Sequence, residues 1–230
     1  MWKVPKMWEG GECWIIGGGH SMPRQFDVPD DIIQKVSNNE LPPGAYSPYL
    51  SSIHTKHVIG VNVAYLIGDW IDIVFFGDNG FYVKQQLGLA KFPGLKVTCN
   101  GNSKIDSSIK RLRRIGKKGI STESNGVCWN GNSGAAAMSI AALAGVKRIV
   151  LLGFDMKLDE EHQHWHQVYG KRVINEKRRR HFPFDRHLRS FPLIARDAKR
   201  LGIEVINASP DSAIKDFKKS TVKQILERQQ

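Results

Sequence analysis

Cysteine is scarce in this chain. The 230 residues contain only Cys13, Cys99 and Cys128, and no two of them form a CxxC pair. Three scattered thiols provide neither a disulfide framework nor a zinc knuckle, so we expect reduced cysteines of the cytoplasmic kind. A long hydrophobic run is also missing, because the most apolar stretch, Val58 to Phe76, is interrupted by two aspartates. The sequence therefore predicts no signal peptide and no membrane span.

Acidic residues are few compared with basic ones. Lys and Arg number 34 against 22 Asp and Glu, which gives a formal net charge of +12. Such a surplus predicts an anionic partner: a phosphorylated ligand, a nucleic acid or an acidic glycan. General basicity without any nucleic acid is the alternative. With 41% hydrophobic and 24% charged residues, residues 1–230 are expected to form one α/β domain.

Short apolar runs recur along the chain, and each ends in Gly, Asn, Asp or Cys. They are β-branched and do not strictly alternate, which is typical of buried parallel strands. The runs are Cys13–Ile16, His57–Val61, Ile71–Phe76, Leu95–Thr98, Arg148–Leu152 and Ile203–Ile206. Helical patterns at 133–143 and 188–201 separate some of them. The alternation predicts a doubly wound, mostly parallel, Rossmann-like sheet with ligands at the carboxyl ends of its strands.

Two polar stretches do not fit this alternation. Residues 101–128 carry a basic cluster around Arg113, and residues 156–187 combine His162, His164 and His166 with the basic run Arg178–Arg180. We interpret 156–187 as a lid inserted over the site, with a solvated charged loop as the alternative. Both basic clusters suit a nucleic-acid backbone or an anionic glycan, or they form a solvated face.

Two small-residue motifs predict contact with phosphate. Gly17-Gly18-Gly19 follows the first strand, where glycines let backbone amides approach a phosphate. Asn132-Ser133-Gly134 opens an Ala-rich helix whose first N–H groups suit an anion. A structural turn and ordinary helix capping are the alternatives. No GxGxxG or GxxxxGK[ST] motif is present, which argues against dinucleotide and P-loop chemistry.

Taken together, these motifs resemble a known family. Four features are similar to two related groups of proteins. They are a glycine turn ending in Ser21, Asn62 after the second strand, the Ser133-Gly134 helix start and the Gly153-Phe154-Asp155 strand end. One group is the bacterial sialyltransferases acting on lipooligosaccharide. The other is the archaeal 6-hydroxymethylpterin diphosphokinase-like proteins, which have phage-encoded relatives. The segment 203–212 resembles the last strand and Pro-x-Ser turn of that family.

The resemblance implies a role for each matching residue. The nucleotide or its phosphate would lie along Gly17, Gly18, Gly19 and Ser21, and Asn62 would reach the ribose or phosphate. The helix start would hold phosphate through Asn132, Ser133 and Gly134. The base and sugar would be bordered by Gly153, Phe154 and Asp155. A His before the last long helix would be the general base, and His187 and His181 occupy that region. His166, in the lid stretch, is a third candidate because an ordinary imidazole titrates near neutrality.

Departures from the sialyltransferase pattern leave the donor and the metal open. His20 stands where that group has Pro. Asp78 looks more like the diphosphokinase-like group, where an acidic residue would hold a metal, and Mg²⁺ is the candidate cofactor. His162, His164 and His166 would share one face of a strand and form a chelating set. A catalytic His in a lid and solvated loop histidines are the other interpretations.

Three functions follow from these observations. The first is a sialyltransferase-like glycosyltransferase that uses a nucleotide-activated sugar, such as a CMP or UDP compound, and an anionic acceptor. The second is a metal-dependent diphosphokinase-like enzyme that transfers pyrophosphate from ATP. The third is a non-enzymatic, phage-type protein that binds nucleic acid or another partner on the same fold. The oligomeric state is not predicted.

Overall fold

The computed structural model describes residues 1–158, 164–168 and 184–228. These residues form a sheet of eight strands in the order β10-β9-β8-β1-β2-β3-β4-β5, together with a two-stranded sheet of β6 and β7. Every strand pairing among them is parallel. The strands are β1 (Glu12–Ile16), β2 (His57–Val61), β3 (Ile73–Phe76), β4 (Leu95–Thr98), β5 (Lys110–Arg111), β6 (Arg113–Ile115), β7 (Gly126–Cys128), β8 (Arg148–Leu152), β9 (Glu204–Asn207) and β10 (Lys218–Lys219).

Helices connect these strands. The α-helices are α1 (Ser21–Arg24), α2 (Asp30–Ser37), α3 (Asn79–Lys91), α4 (Ser133–Ala144), α5 (Phe184–Leu188), α6 (Phe191–Arg200) and α7 (Val222–Glu227), and 3₁₀ helices span Pro43–Ile53 and Asn62–Ile67. The chain proceeds outward from β1 to β5, then returns to β8 on the other side of β1 and continues to β9 and β10. The strand order therefore reverses between β1 and β8, and ligands of open α/β sheets bind beyond the carboxyl ends of the strands at such a point.

Both faces of the sheet are buried. Alternate side chains of β1 enter different cores: Ile15 packs with the Ala-rich helix α4, while Trp14 and Ile16 pack on the opposite face. Helix α4 is buried around almost its whole circumference, which its alanines permit because they let the helix lie close to the sheet. The predicted doubly wound, mostly parallel α/β fold is confirmed.

Several sequence-based boundaries were wrong. The helix predicted over 188–201 begins later, at Phe191, where α6 starts; Leu188 is the last residue of α5, and the Ser190 hydroxyl between the two helices donates to the Asn130 carbonyl at 2.8 Å. Residues 101–128 were predicted to lie outside the sheet, yet β5 extends it beside β4. Within the described residues, no helix has the length and apolar character needed to cross a membrane.

Candidate functional site

Two loops meet at the point where the strand order reverses. The N–H groups of Gly17 and Gly19, after β1, donate to the carbonyls of Leu152 and Gly153 at 2.8 Å each. A Cβ on Gly19 would lie 2.6 Å from the Gly153 carbonyl oxygen and 2.5 Å from a carboxylate oxygen of Asp155. Since real Cβ atoms do not approach so closely, the glycines of this turn are required first by the contact between the two loops.

A cavity opens beside these loops, and the structure brings most of the residues implied by the resemblance to its walls. Gly17, Gly18, Gly19, Asn62, Asn132, Ser133, Gly134, Gly153, Phe154, Asp155, His166 and His187 all line it. His164, predicted as part of a chelating set, and Phe184 line the cavity too, and sequence reasoning missed four other lining residues: Val61, Val63, Met156 and Lys157. Of these, Lys157 carried the clearest signal, because a cation two residues after a polar strand end lies at the ligand-binding edge.

The first turn of α4 forms one wall of the cavity. The side-chain oxygen of Asn132 caps this helix by accepting the N–H of Ala135 at 2.7 Å. The N–H groups of Ser133 and Gly134 have no acceptor within the helix. The buried Nδ2 of Asn132 has no hydrogen-bond partner among the described residues. This wall therefore offers an unused amide donor beside a helix N-terminus.

Asn62 lies on the neighbouring wall, directly after β2. Its backbone has φ +54°, in the left-handed region that Asn tolerates better than most residues. The buried Oδ1 of Asn62 accepts no hydrogen bond from the part of the chain that the structure describes. Buried polar atoms are nearly always paired in folded proteins, so Asn62 and Asn132 point to a polar ligand in this cavity.

Phe154 has a packing role in this wall. Its side chain is buried, and its ring lies between the glycine turn and α4. A Cβ on Gly17 or Gly134 would come within 3.1 Å and 2.9 Å of this ring, respectively. The two glycines thus leave the space that the aromatic ring occupies. The resemblance placed Phe154 at the base and sugar, and the ring supports the two walls that form the cavity.

Asp155 and Ser21 form a polar cluster next to the cavity. The buried Asp155 carboxylate accepts hydrogen bonds from the N–H and the hydroxyl of Ser21, and His20 Nδ1 lies 3.2 Å from it. The Ser21 hydroxyl also pairs with that of Ser209, after β9, at 2.9 Å. Ser21 does not line the cavity. Ser21 thus connects the ends of three strands, whereas the resemblance implies that it contacts the nucleotide.

His187 faces the cavity from α5. Burial is the main cause that lowers the pKa of its imidazole from the usual value, and the neighbouring Arg186 guanidinium acts in the same direction. The Gly131 backbone, beside the ring, acts in the opposite direction and does not outweigh the effect of burial. One ring nitrogen therefore carries the proton, and at neutral pH the other is unprotonated. This is the state that a general base requires.

His166 has a different environment. Burial, and then the nearby His164, lower the pKa of the His166 imidazole well below its ordinary value, so the ring is neutral. Its Nδ1 accepts the N–H of Val168 at 3.3 Å, which places the proton on Nε2. A ring in this form is a hydrogen-bond donor rather than a base.

The segment 164–168 is attached to the glycine turn. Trp165 is buried, its indole N–H donates to the Gly17 carbonyl at 2.8 Å, and its own carbonyl accepts the Tyr46 hydroxyl at 3.2 Å. No strand includes this segment, so the predicted chelating strand face is wrong for its described part; the rings of His164 and His166 instead stack 5.2 Å apart. Across the described residues, no three His, Cys, Asp or Glu side chains are grouped to hold a metal ion.

Asp78 lies apart from this cavity. It follows β3 and lines a second cavity together with Cys99 and Arg114. The Arg114 guanidinium donates to the Gly77 carbonyl at 2.6 Å, so a cation borders this position, and Asn79 and Asn100 line the same cavity. Asp78 is the only carboxylate among the described residues that line this cavity, and the Mg²⁺ site stays a prediction.

Some predicted features lie outside the described residues. These are His181, His162 and the basic run Arg178–Arg180. Of the stretch 156–187 that was interpreted as a lid, only 156–158, 164–168 and 184–187 are described. The lid, and the role of His181 as a base, stay predictions.

The chain is similar to known proteins in structure but not in sequence. No family model matches the chain, and no curated protein matches it in sequence. Among solved structures, it is similar to the sialyltransferase CstII from Campylobacter jejuni in complex with cytidine-5'-monophosphate, at 11% identity and a TM-score of 0.46 over 93% of this chain and 86% of that one. A structure of the sialyltransferase CST-II with a trisaccharide acceptor and CMP is similar at 12% identity and a TM-score of 0.45, over 90% and 84% of the two chains.

Proposed function

We propose that this protein is a sialyltransferase-like glycosyltransferase, which moves a sugar from a nucleotide-activated donor to an acceptor hydroxyl. The observation that carries the proposal is one cavity, at the reversal of strand order, that is lined by a neutral His187 and by the unpartnered amide atoms of Asn62 and Asn132. A base and a set of unused polar groups on adjoining walls suit a reaction between two polar substrates.

The donor's nucleotide occupies the space between the glycine turn and α4. The N–H groups of Ser133 and Gly134, together with Asn132 Nδ2, donate to its phosphate. Asn62 Oδ1 accepts a hydrogen bond from a ribose hydroxyl. Lys157, on the rim of the cavity, supplies the positive charge that an anionic donor needs.

His187 starts the transfer. Its unprotonated nitrogen takes the proton from the acceptor hydroxyl while the hydroxyl oxygen forms a bond to the anomeric carbon. The bond between that carbon and the phosphate oxygen breaks, and the electron pair stays on the departing nucleotide. The helix start and Lys157 stabilise the negative charge that develops there.

Calorimetry with CMP, UDP, GDP and ADP tests this assignment, because Asn132 has two separable roles. In Asn132→Asp the side chain still caps α4, since a carboxylate oxygen accepts the Ala135 N–H, but the Nδ2 donor is lost and a negative charge faces the phosphate. We expect one nucleotide to bind the wild type and its Kd to rise at least tenfold in Asn132→Asp, with Tm maintained.

Asn38→Asp, at an exposed residue after α2, is the matched control and should bind like the wild type. Unchanged affinity in Asn132→Asp would exclude this cavity as the nucleotide site. A wild type that binds none of the four nucleotides would refute the proposed function. With the nucleotide identified, the corresponding sugar donor should give transfer, and release of free sugar without an acceptor should be slower than transfer.

A further inference from the structure

Three adjoining cavities form a groove along β6 and β7, outside the proposed donor cavity. The first and second share Arg113 and Arg114, and the second and third share Ile115, Lys117 and Glu123. We call this surface the basic groove. Its cationic side chains are Arg111, Arg113, Arg114, Lys117, Lys118, Arg196 and Arg200.

Positive charge in the basic groove exceeds negative charge. Its seven cations face three carboxylates: Asp78, Glu123 and Asp197. Glu123 pairs with Arg113, and Asp197 pairs with Arg196 and also accepts the buried N–H of Ile120 at 3.0 Å. Glu123 and Asp197 are therefore neutralised within the protein, and the groove has cations left for a ligand that carries several negative charges.

Lys117 and Lys118 are the cations most available to such a ligand. Neither makes an ion pair or a hydrogen bond with the residues that the structure describes, and both side chains are exposed. Arg114 is held more firmly, because its guanidinium donates to the Gly77 carbonyl and stacks 3.9 Å above the Trp129 ring. The groove thus combines one guanidinium held by the protein with two exposed ammonium groups.

The lining of the basic groove distinguishes between two classes of polyanion. Single-stranded nucleic acids bind on aromatic side chains, on which successive bases stack. No Phe, Tyr, Trp or His is among the described residues that line the groove. A groove that offers charge and polar groups without an aromatic lining residue fits an anionic oligosaccharide better than a single-stranded nucleic acid.

Arg114 of the basic groove contacts a segment that leads along the chain to the proposed base. Trp129, which contacts Arg114, is two residues from Gly131, and the Gly131 backbone lies beside the His187 ring. Two peptide units span at most about 7.6 Å between Cα atoms. An oligosaccharide in the groove can therefore place a hydroxyl near His187 while its charged groups contact Lys117 and Lys118.

We propose that the basic groove binds an anionic oligosaccharide, one that carries phosphate, carboxylate or sulfate groups, and that this molecule is the acceptor. The role of this molecule as acceptor rests on the proposed function, whereas its binding to the basic groove does not. The chemistry of the surface indicates the partner: a molecule that carries several negative charges, has no bases to stack and has a free hydroxyl.

Fluorescence anisotropy with a labelled heparin hexasaccharide, without nucleotide, tests the binding. The double variant Lys117→Glu/Lys118→Glu should bind at least tenfold more weakly than the wild type at about 50 mM salt, and the difference should shrink at high salt. Lys84→Glu/Lys223→Glu changes two exposed lysines elsewhere and alters the net charge equally. It should stay within about twofold of the wild type, with similar Tm for all three proteins.

Four outcomes decide whether the proposal holds. Equal weakening in the two double variants would mean that overall charge, and not the groove, attracts the hexasaccharide, and the proposal would fail. An oligonucleotide of matched charge that binds more tightly and competes for the same lysines would also overturn it. Nucleotide calorimetry on the same samples keeps the proposals apart: loss of hexasaccharide binding with intact nucleotide binding supports the groove, while a wild type that binds no nucleotide removes only the role as acceptor site.

Discussion

The carboxylate of Asp155 accepts two hydrogen bonds from Ser21, one from its N–H at 3.0 Å and one from its hydroxyl at 2.5 Å. The two residues are 134 positions apart in the chain, yet they follow β1 and β8, which are neighbours in the sheet. Hydrogen bonds to a buried carboxylate are strong, so they hold the two loops together without any ligand. The base of the proposed donor cavity is therefore formed by the protein before a substrate binds.

Gly19 tests this loop contact. In Gly19→Ala the new Cβ would lie 2.5 Å from Asp155 Oδ2 and 2.6 Å from the Gly153 carbonyl oxygen, so the loops must separate. We expect the free energy of unfolding to fall by roughly 1–3 kcal/mol, as for other overpacked sites, measured by chemical denaturation. Gly80→Ala is the control, since nothing lies within 4 Å of a Cβ there. Equal stability of both variants would show that the loops do not need this glycine.

Asn62 and Asn130 form a natural pair for separating binding from stability. Both have a left-handed backbone, with φ of +54° and +57°, which glycine accepts without strain. The Asn130 amide exchanges hydrogen bonds with the N–H and carbonyl of Gly119 at 2.8 and 2.9 Å, whereas Asn62 Oδ1 has no partner among the described residues.

We expect Asn130→Gly to lose about 1–3 kcal/mol of stability because it leaves buried backbone groups unpaired. Asn62→Gly should instead keep Tm within a few degrees and weaken nucleotide binding by roughly fivefold or more. Thermal unfolding and calorimetry on the same samples give both quantities. A large loss of stability in Asn62→Gly, with unchanged nucleotide affinity, would make Asn62 a structural residue.

His187 is the residue on which the proposed chemistry depends. We expect His187→Ala to lower kcat by about 10²–10⁴, the usual contribution of a general base, while the donor Kd changes little. Because burial lowers the pKa of His187, the acid limb of the wild-type kcat/KM profile should lie below the ordinary imidazole value near 6.5.

Added imidazole should restore part of the activity of His187→Ala and not that of an inactive Asn132→Asp. His54→Ala removes a histidine that stacks on Trp70 and should leave kcat unchanged. An acid limb that persists in His187→Ala would assign the titration to another group.

The sequence predicted the sheet well because its strands are short, apolar and followed by polar residues. Those at His57–Val61, Leu95–Thr98 and Arg148–Leu152 have the predicted bounds. Residues 110–111 were missed because two basic residues at a sheet edge carry no hydrophobic signal, and only their pairing with β4 makes them a strand. Ser190 shows the same limit for helices: its hydrogen bond to Asn130 spans 60 residues and leaves no local pattern.

The candidate site was predictable as a set of strand ends, since parallel strands bring these ends to one edge. The different roles of the residues at these strand ends were not predictable. Ser21 and Asp155 are polar residues after strands, like Asn62, but the sequence does not show that they bond to each other while Asn62 has no protein partner. Asp78 also follows a strand, and it lies at another cavity because β3 is further from the reversal point.

His166 provides a pH test of the attachment of residues 164–168. Its pKa in the folded protein is well below the value near 6.5 expected in the unfolded chain, chiefly because the ring is buried. Below pH 6.5 the unfolded chain binds a proton that the folded protein does not, so the free energy of unfolding falls as the pH decreases from 6.5 toward the folded-state pKa.

In His166→Asn, the side-chain oxygen still accepts the Val168 N–H but does not titrate, and this variant should lose less stability between pH 7 and pH 5 than the wild type. Urea unfolding at both pH values measures the difference, and His57→Asn, at a half-exposed histidine on another part of the surface, is the control. If the wild type and His166→Asn lost the same stability over this range, the ring would not be buried in solution, and the contact of this segment with the glycine turn would be wrong.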